Sequence, residues 1–173
     1  MSKPISVPKT LANRALAGDA DAQFELAELY MHSDYEDDIA LAEEWAIKAA
    51  QQGHVEAMYW LGEGYTFYAK AVLEEDPEDA AKNFEQGFIF LKEAAAQQHP
   101  AATLELAGYY RRGTAVEQDV AQSIALVEKA AELGEVQAMH DLAFIYANGL
   151  GIDADEEKAD YWTAKAQAAE QQD

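Results

Sequence analysis

Apolar positions along this chain recur at the spacing of a helix face, in a unit that returns four times. The unit reads Ala-x-x-x-Leu-Ala/Gly-x-x-Tyr. It occurs at Ala22-Leu26-Ala27-Tyr30, Ala57-Leu61-Gly62-Tyr65, Ala102-Leu106-Ala107-Tyr110 and Ala138-Leu142-Ala143-Tyr146. The leading alanines are spaced by 35, 45 and 36 residues. A period in this range predicts a solenoid, because one helix pair cannot bury its apolar face alone and must stack on the next.

A second apolar stripe follows each of these stretches. In the first unit it is Ala42, Trp45, Ala46, Ala49 and Ala50, which lie on one face of a helix. The matching stripes are Gly87, Phe90, Ala94, Ala95; Ser123, Leu126, Ala130, Ala131; and Ala159, Trp162, Ala166. The fixed offset predicts Trp45, Phe90, Leu126 and Trp162 as equivalent buried knobs, flanked by small residues that let helices approach closely. Gly53 and Gly134 are expected to close second helices in a left-handed conformation, with Gln98 in that place in unit two, followed by His99-Pro100. Asp38, Asp79, Asp119 and Asp155 are expected just before the second helices, where they accept from unpaired N–H groups.

Unit two carries an insertion between Tyr65 and Phe90. Its residues Phe67, Tyr68, Val72 and Leu73 predict a first helix about two turns longer than the others. Pro77 is placed to start the next helix near Glu78. Thr10 to Ala17, ending on Gly18, reads as a degenerate second-type helix that shields the first unit. The tail Ala166 to Asp173 turns polar, as an end repeat must.

These residues resemble the Sel-one-like (Sel1-like) repeat family, a branch of the tetratricopeptide-type solenoids. Unit four carries the fullest match, from Ala138, Leu142, Ala143 and Tyr146 through Gly149, Gly151, Ile152 and Asp155 to Lys158, Ala159 and Trp162. Unit three keeps Tyr110, Gly113, Val116, Asp119, Ala130, Ala131 and Gly134. Unit one replaces the loop glycines by Ser33-Asp34-Tyr35-Glu36-Asp37, and unit two departs through its insert. The resemblance implies an all-α, right-handed α–α superhelix used as an adaptor between proteins. It divides the single domain, residues 1–173, into repeats at about 18–52, 53–97, 98–133 and 134–170, with 1–17 as a cap. By analogy with the wider class, the concave groove takes Phe24, Glu28 and Met31; Tyr59, Glu63 and Thr66; Leu104, Gly108 and Arg111; and His140, Phe144 and Ala147. Phe24, Tyr59 and Phe144 have core burial as the competing reading, since aromatics at helical spacing usually face inward.

Composition narrows the function. The chain has 33 acidic against 12 basic residues, a net charge of −21. Phosphate backbones and anionic membranes are repelled by such a surface, so neither nucleic acid nor membrane is an expected partner. The absence of cysteine removes disulfides and thiolate chemistry. No stretch approaches the ~18 apolar residues of a membrane span, and the start from Met1 to Pro8 lacks the apolar run of a signal peptide. The reading is a soluble, cytoplasmic monomer.

Candidate chemistry is sparse. His32, His54, His99 and His140 show no metal-ligand spacing, and no phosphate loop follows a strand. The acidic runs at 34–38 and 153–157 lack the calcium-loop frame and read as solvated helix starts. No constellation marks an active site, so no enzyme, metal or cofactor is expected. Arg111-Arg112 is the one adjacent basic pair, either tied up in salt bridges or gripping a partner's carboxylate. The leading function is a protein or peptide-binding adaptor. The alternative is an acidic immunity or inhibitor protein that neutralises a basic toxin or nuclease through charge complementarity.

Overall fold

The computed structural model describes residues 6–32 and 36–171. Residues Met1 to Ile5, Ser33-Asp34-Tyr35 of the segment that replaces the loop glycines, and Gln172-Asp173 of the polar tail sequence lie outside the described residues. Nine helices and no strand occur among the described residues: α1 (Lys9–Leu16), α2 (Ala20–Met31), α3 (Glu36–Gln51), α4 (Val55–Val72), α5 (Pro77–Ala96), α6 (Pro100–Arg112), α7 (Val120–Glu132), α8 (Val136–Asn148) and α9 (Glu156–Glu170).

The helices stack in chain order as pairs α2–α3, α4–α5, α6–α7 and α8–α9, with α1 against α2. This is the helical-repeat superhelix expected from the period. Small residues make the seams. Ala22, Ala57, Ala102 and Ala138 are fully buried, as are Ala46, Ala49, Ala94 and Ala130 on the second helices. Gln23 ties three helices at the first seam: its amide donates to the Ala15 carbonyl at 3.1 Å and accepts from Gln52 at 2.7 Å.

The insert behaves as expected. α4 runs on to Val72 and α5 begins at Pro77, which makes these the two longest helices. Their long seam is closed by glycine. A Cβ at Gly62 would sit 2.6 Å from Leu91 Cγ, and one at Gly87 2.6 Å from Tyr109 Oη. Gln98 adopts a φ of +65° where Gly53 and Gly134 have +89° and +101°, so the backbone keeps its left-handed turn without glycine.

Three expectations need correction. Leu126 is a buried knob, but Trp45, Phe90 and Trp162 are only half-buried. The alanine-lined seams are too narrow for these rings, which lie on the flanks; Lys48 Nζ caps the Trp45 ring at 4.0 Å. The buried large side chain on α5 is the next residue, Leu91, at 0% exposure. Asp119 and Asp155 do cap α7 and α9, but α5 is capped by Asp76, whose carboxylate accepts from Asp79 N–H at 2.9 Å. Pro77 sets that helix start two residues upstream of Asp79. Asp38 lies inside the first turn of α3 rather than before it.

Candidate functional site

The first helices α2, α4, α6 and α8 begin at equivalent caps: Asp19, His54, His99 and Glu135. Each histidine accepts a backbone N–H on Nδ1 at 3.1 Å, from Ala57 and Ala102 respectively. A ring nitrogen that accepts carries no proton, so the other nitrogen bears it. His99 Nε2 faces Glu56 Oε2 at 3.3 Å, and His54 Nε2 faces Asp21 Oδ1 at 3.5 Å. The same rings pack on the preceding unit: Phe24 lies tilted on His54 at 4.7 Å and Tyr59 stacks on His99 at 4.4 Å between centroids. In the sequence these histidines show no metal-ligand spacing, and their capping role is not evident from residue type. The signal available was their position, immediately before each first helix.

This changes the groove assignment. Phe24 and Tyr59 are half-buried struts between repeats, not open anchors. Tyr59 also donates to Glu63 at 3.4 Å, and burial beside Glu63 and Glu105 pushes its phenol up to about 12. Thr66 is 2% exposed and hydrogen-bonded to Tyr109, so it is core rather than groove. His140 meets Glu170 at 2.9 Å. Glu28 and Met31 are exposed on α2, and Ala147 is exposed on α8.

The remaining expected positions converge. Leu104, Gly108, Arg111, Arg112 and Phe144 line one groove of about 580 Å³ between units three and four. Its floor is apolar, from Ile124 and Val127 of α7 and Ile145 of α8. Phe144 is 61% exposed there, and Leu150 and Val120 are exposed beside it. Gly151 brings the α8–α9 loop close, for a Cβ on it would lie 2.7 Å from Val120 Cγ1. Glu105, Gln137 and Asp141 complete the rim, and Gln137 donates to Asp141 at 2.9 Å.

The arginine pair is exposed at the C-terminal end of α6, where the helix dipole favours cations. Neither arginine makes an ion pair among the described residues. The ion pairs there use Arg14, Lys48, Lys82 and Lys158, and three histidines face carboxylates. The salt-bridge reading of Arg111-Arg112 therefore fails. No group of three or more His, Asp or Glu is arranged to hold a metal among the described residues. No described helix is long and apolar enough to cross a membrane.

Comparison with known proteins follows the same four units. Residues 20–54, 55–99, 100–135 and 136–173 each match the Sel1 repeat. The chain is similar to the Sel1-repeat-containing protein YjcO of Escherichia coli K12, at 31% identity over 158 residues, 89% of this chain. It spans 63% of the length of YjcO. Its fold is similar to that of c5321, a protective antigen present in uropathogenic Escherichia coli strains. The TM-score is 0.79 at 30% identity, over 94% of this chain and 33% of that one. A Sel1 repeat protein from Oxalobacter formigenes gives a TM-score of 0.76 at 27% identity, over 92% and 62% of the two chains. The chain belongs to the Sel1 repeat family.

Proposed function

We propose that this chain is a protein-interaction module that holds a segment of a partner protein in the groove between units three and four. Sel1 repeats typically serve protein–protein interaction, which supports this class of function. The observation that carries the reading is the conjunction of an exposed aromatic, Phe144, with two unpaired guanidinium groups over an apolar floor. Aromatic and arginine side chains dominate the energy of protein interfaces. Phe144 is the apolar anchor and Arg111 the polar clamp.

The test begins with affinity purification and mass spectrometry to find the partner, followed by binding measurements on Phe144→Ala and Arg111→Ala, both checked for folding. Each is expected to weaken binding ~10-fold, the scale of an interface hot spot. Wild-type binding by both variants overturns the groove.

A second reading is favoured by the net charge of −21. An acidic inhibitor of a basic partner would use the exposed carboxylates across the surface, Glu28 and Glu63 among them. Exposed charges are screened over ~8 Å at physiological ionic strength. A steep fall in affinity with added salt, unaffected by Phe144→Ala, selects this reading over the first.

A further inference from the structure

The insert in unit two builds a second hollow that the groove does not use. It lies between the last turns of α4, the start of α5 and the α6–α7 loop, and encloses about 460 Å³. Leu73, Pro77, Ala81 and Phe84 give it apolar walls, and Leu73 is 47% exposed. Lys70 and Arg112 stand at its edge with Glu85. Arg112 also lines the groove between units three and four, and it is the residue the two hollows share.

The position of Arg112 is prepared by its helix. Gly108 lies one turn earlier, and a Cβ there would be 3.1 Å from Nη1 and 3.2 Å from Nη2. The guanidinium group thus folds back closely over the α6 backbone at Gly108, where a methyl group would make it shift by a few tenths of an ångström. Its carbon sits 5.9 Å from the centre of the buried Tyr109 ring. Glu85, Glu105 and Asp141 line the same hollows, yet none pairs with Arg112. A planar cationic fork left unpaired in so acidic a chain matches a carboxylate from outside. The surrounding negative charge does not forbid this, because contact with the fork outweighs charges screened over ~8 Å.

We infer that groove, Arg112 and insert hollow form one continuous path, and that its occupant is an extended peptide segment with an internal Asp or Glu flanked on both sides by apolar residues. The carboxylate meets Arg112. One flanking side chain enters the groove against Phe144 and Ile124. The other enters the insert hollow against Leu73 and Phe84. The acidic residue is internal rather than C-terminal, because open space lies beyond Arg112 in both directions. This inference rests on the groove reading above and names the chemistry of its partner.

The test uses the full chain to select from a random peptide display library at physiological salt. Selected peptides are resynthesised with both ends blocked and their Asp or Glu exchanged for Asn or Gln. Acidic peptides with an apolar residue on each side are expected. The exchange and Arg112→Ala should each weaken binding at least ~10-fold, the loss expected for a charge-assisted contact. Leu73→Asp should abolish the preference for one flanking apolar residue, and Phe144→Ala the preference for the other. The peptide-side exchange reads the Arg112 contact without touching the fold of the protein. Selected peptides without an acidic residue, or binding that tolerates the exchange, overturn the inference. Dependence on Phe144 and Arg111 but not on Arg112 or Leu73 overturns the path and leaves the groove standing. Selection of no peptide, or of peptides indifferent to Phe144 and Arg111, overturns both.

Discussion

Thr66 Oγ1 and Tyr109 Oη lie 2.6 Å apart in the buried seam of α4, α5 and α6, directly over Gly87. Thr66 also meets the Gly62 carbonyl at 2.6 Å, so each hydroxyl has a partner away from water. Tyr109 is completely buried and packs edge-on against Phe84. This contact joins unit two to unit three through side chains rather than through chain order alone.

Gly87→Ala is expected to destabilise the fold, although alanine is the better helix former by ~1 kcal/mol. The new methyl would lie 2.6 Å from Tyr109 Oη and 2.7 Å from Thr66 Oγ1, inside contact distance. Overpacking of this kind costs roughly 1–3 kcal/mol. Adding Tyr109→Phe removes the crowding oxygen, so the double variant should lose less than the sum of the singles. Urea denaturation of all four proteins measures this, and simple additivity would place the strain elsewhere.

Phe90 and Leu91 are adjacent, and their burial predicts opposite ranks from their size. Leu91 is fully buried against Gly62, whereas the Phe90 ring is half-buried on the flank, stacked at 5.9 Å on Tyr65. Leu91→Ala should cost about 2–5 kcal/mol, the range for emptying a core site. Phe90→Ala should cost clearly less. Denaturation midpoints at equal m-values decide the order.

The same pair shows what could be read from the chain. Repeat length, helix pairing, the lengthened α4 and the left-handed turn at Gln98 all follow from local rules of period and punctuation. Which of two adjacent apolar residues points inward does not, because a step of one residue turns a side chain by ~100°. That step separates Phe90 from Leu91, and it hid Thr66 in the core. The groove itself was partly legible. Leu104, Gly108, Arg111 and Phe144 were placed by register, and they converge. Phe24 and Tyr59 shared that register, but their surroundings depend on the cap residue of the following unit. His54 and His99 take up those rings.

Alkaline pH should loosen the contacts between repeats. Tyr65 donates to Glu43 and Tyr146 donates to Glu128, each reaching back to the second helix of the preceding unit. Both phenols are pushed up to about 12 from an ordinary 10.0, Tyr65 first by burial and Tyr146 first by its bond to the carboxylate. A raised pKa in the folded state means the protonated form is favoured there. The stabilisation is complete below pH ~10 and is lost as pH rises toward ~12. Tyr65→Phe and Tyr146→Phe should flatten the fall in stability over this window. Glu128→Gln should bring the tyrosinate absorbance titration of Tyr146 back toward its ordinary value.

Tyr59 stands two residues before Leu61 and Phe144 two residues after Leu142, so both fall in the expected groove register, and the structure predicts that they do different things. The Tyr59 ring lies on His99 at an interplanar angle of 23°, and His99 in turn caps α6 through Ala102 N–H. Losing the cap costs about 1 kcal/mol, and losing an aromatic pair about 0.5–1.5 kcal/mol. His99→Asn keeps a capping side chain and loses the stack, whereas His99→Ala loses both and should be the less stable of the two. Tyr59→Ala should lower the melting temperature and leave binding in the groove of units three and four within ~2-fold, since it removes no group from that groove. Phe144 has the reverse profile. Its ring is 61% exposed and makes no aromatic contact among the described residues, so Phe144→Ala should leave melting nearly unchanged and weaken binding. Melting curves and titrations with one confirmed partner separate the two roles. If Tyr59→Ala abolishes binding at unchanged stability while Phe144→Ala binds normally, the site moves to the junction of units two and three, and the groove at Phe144 is no longer its place.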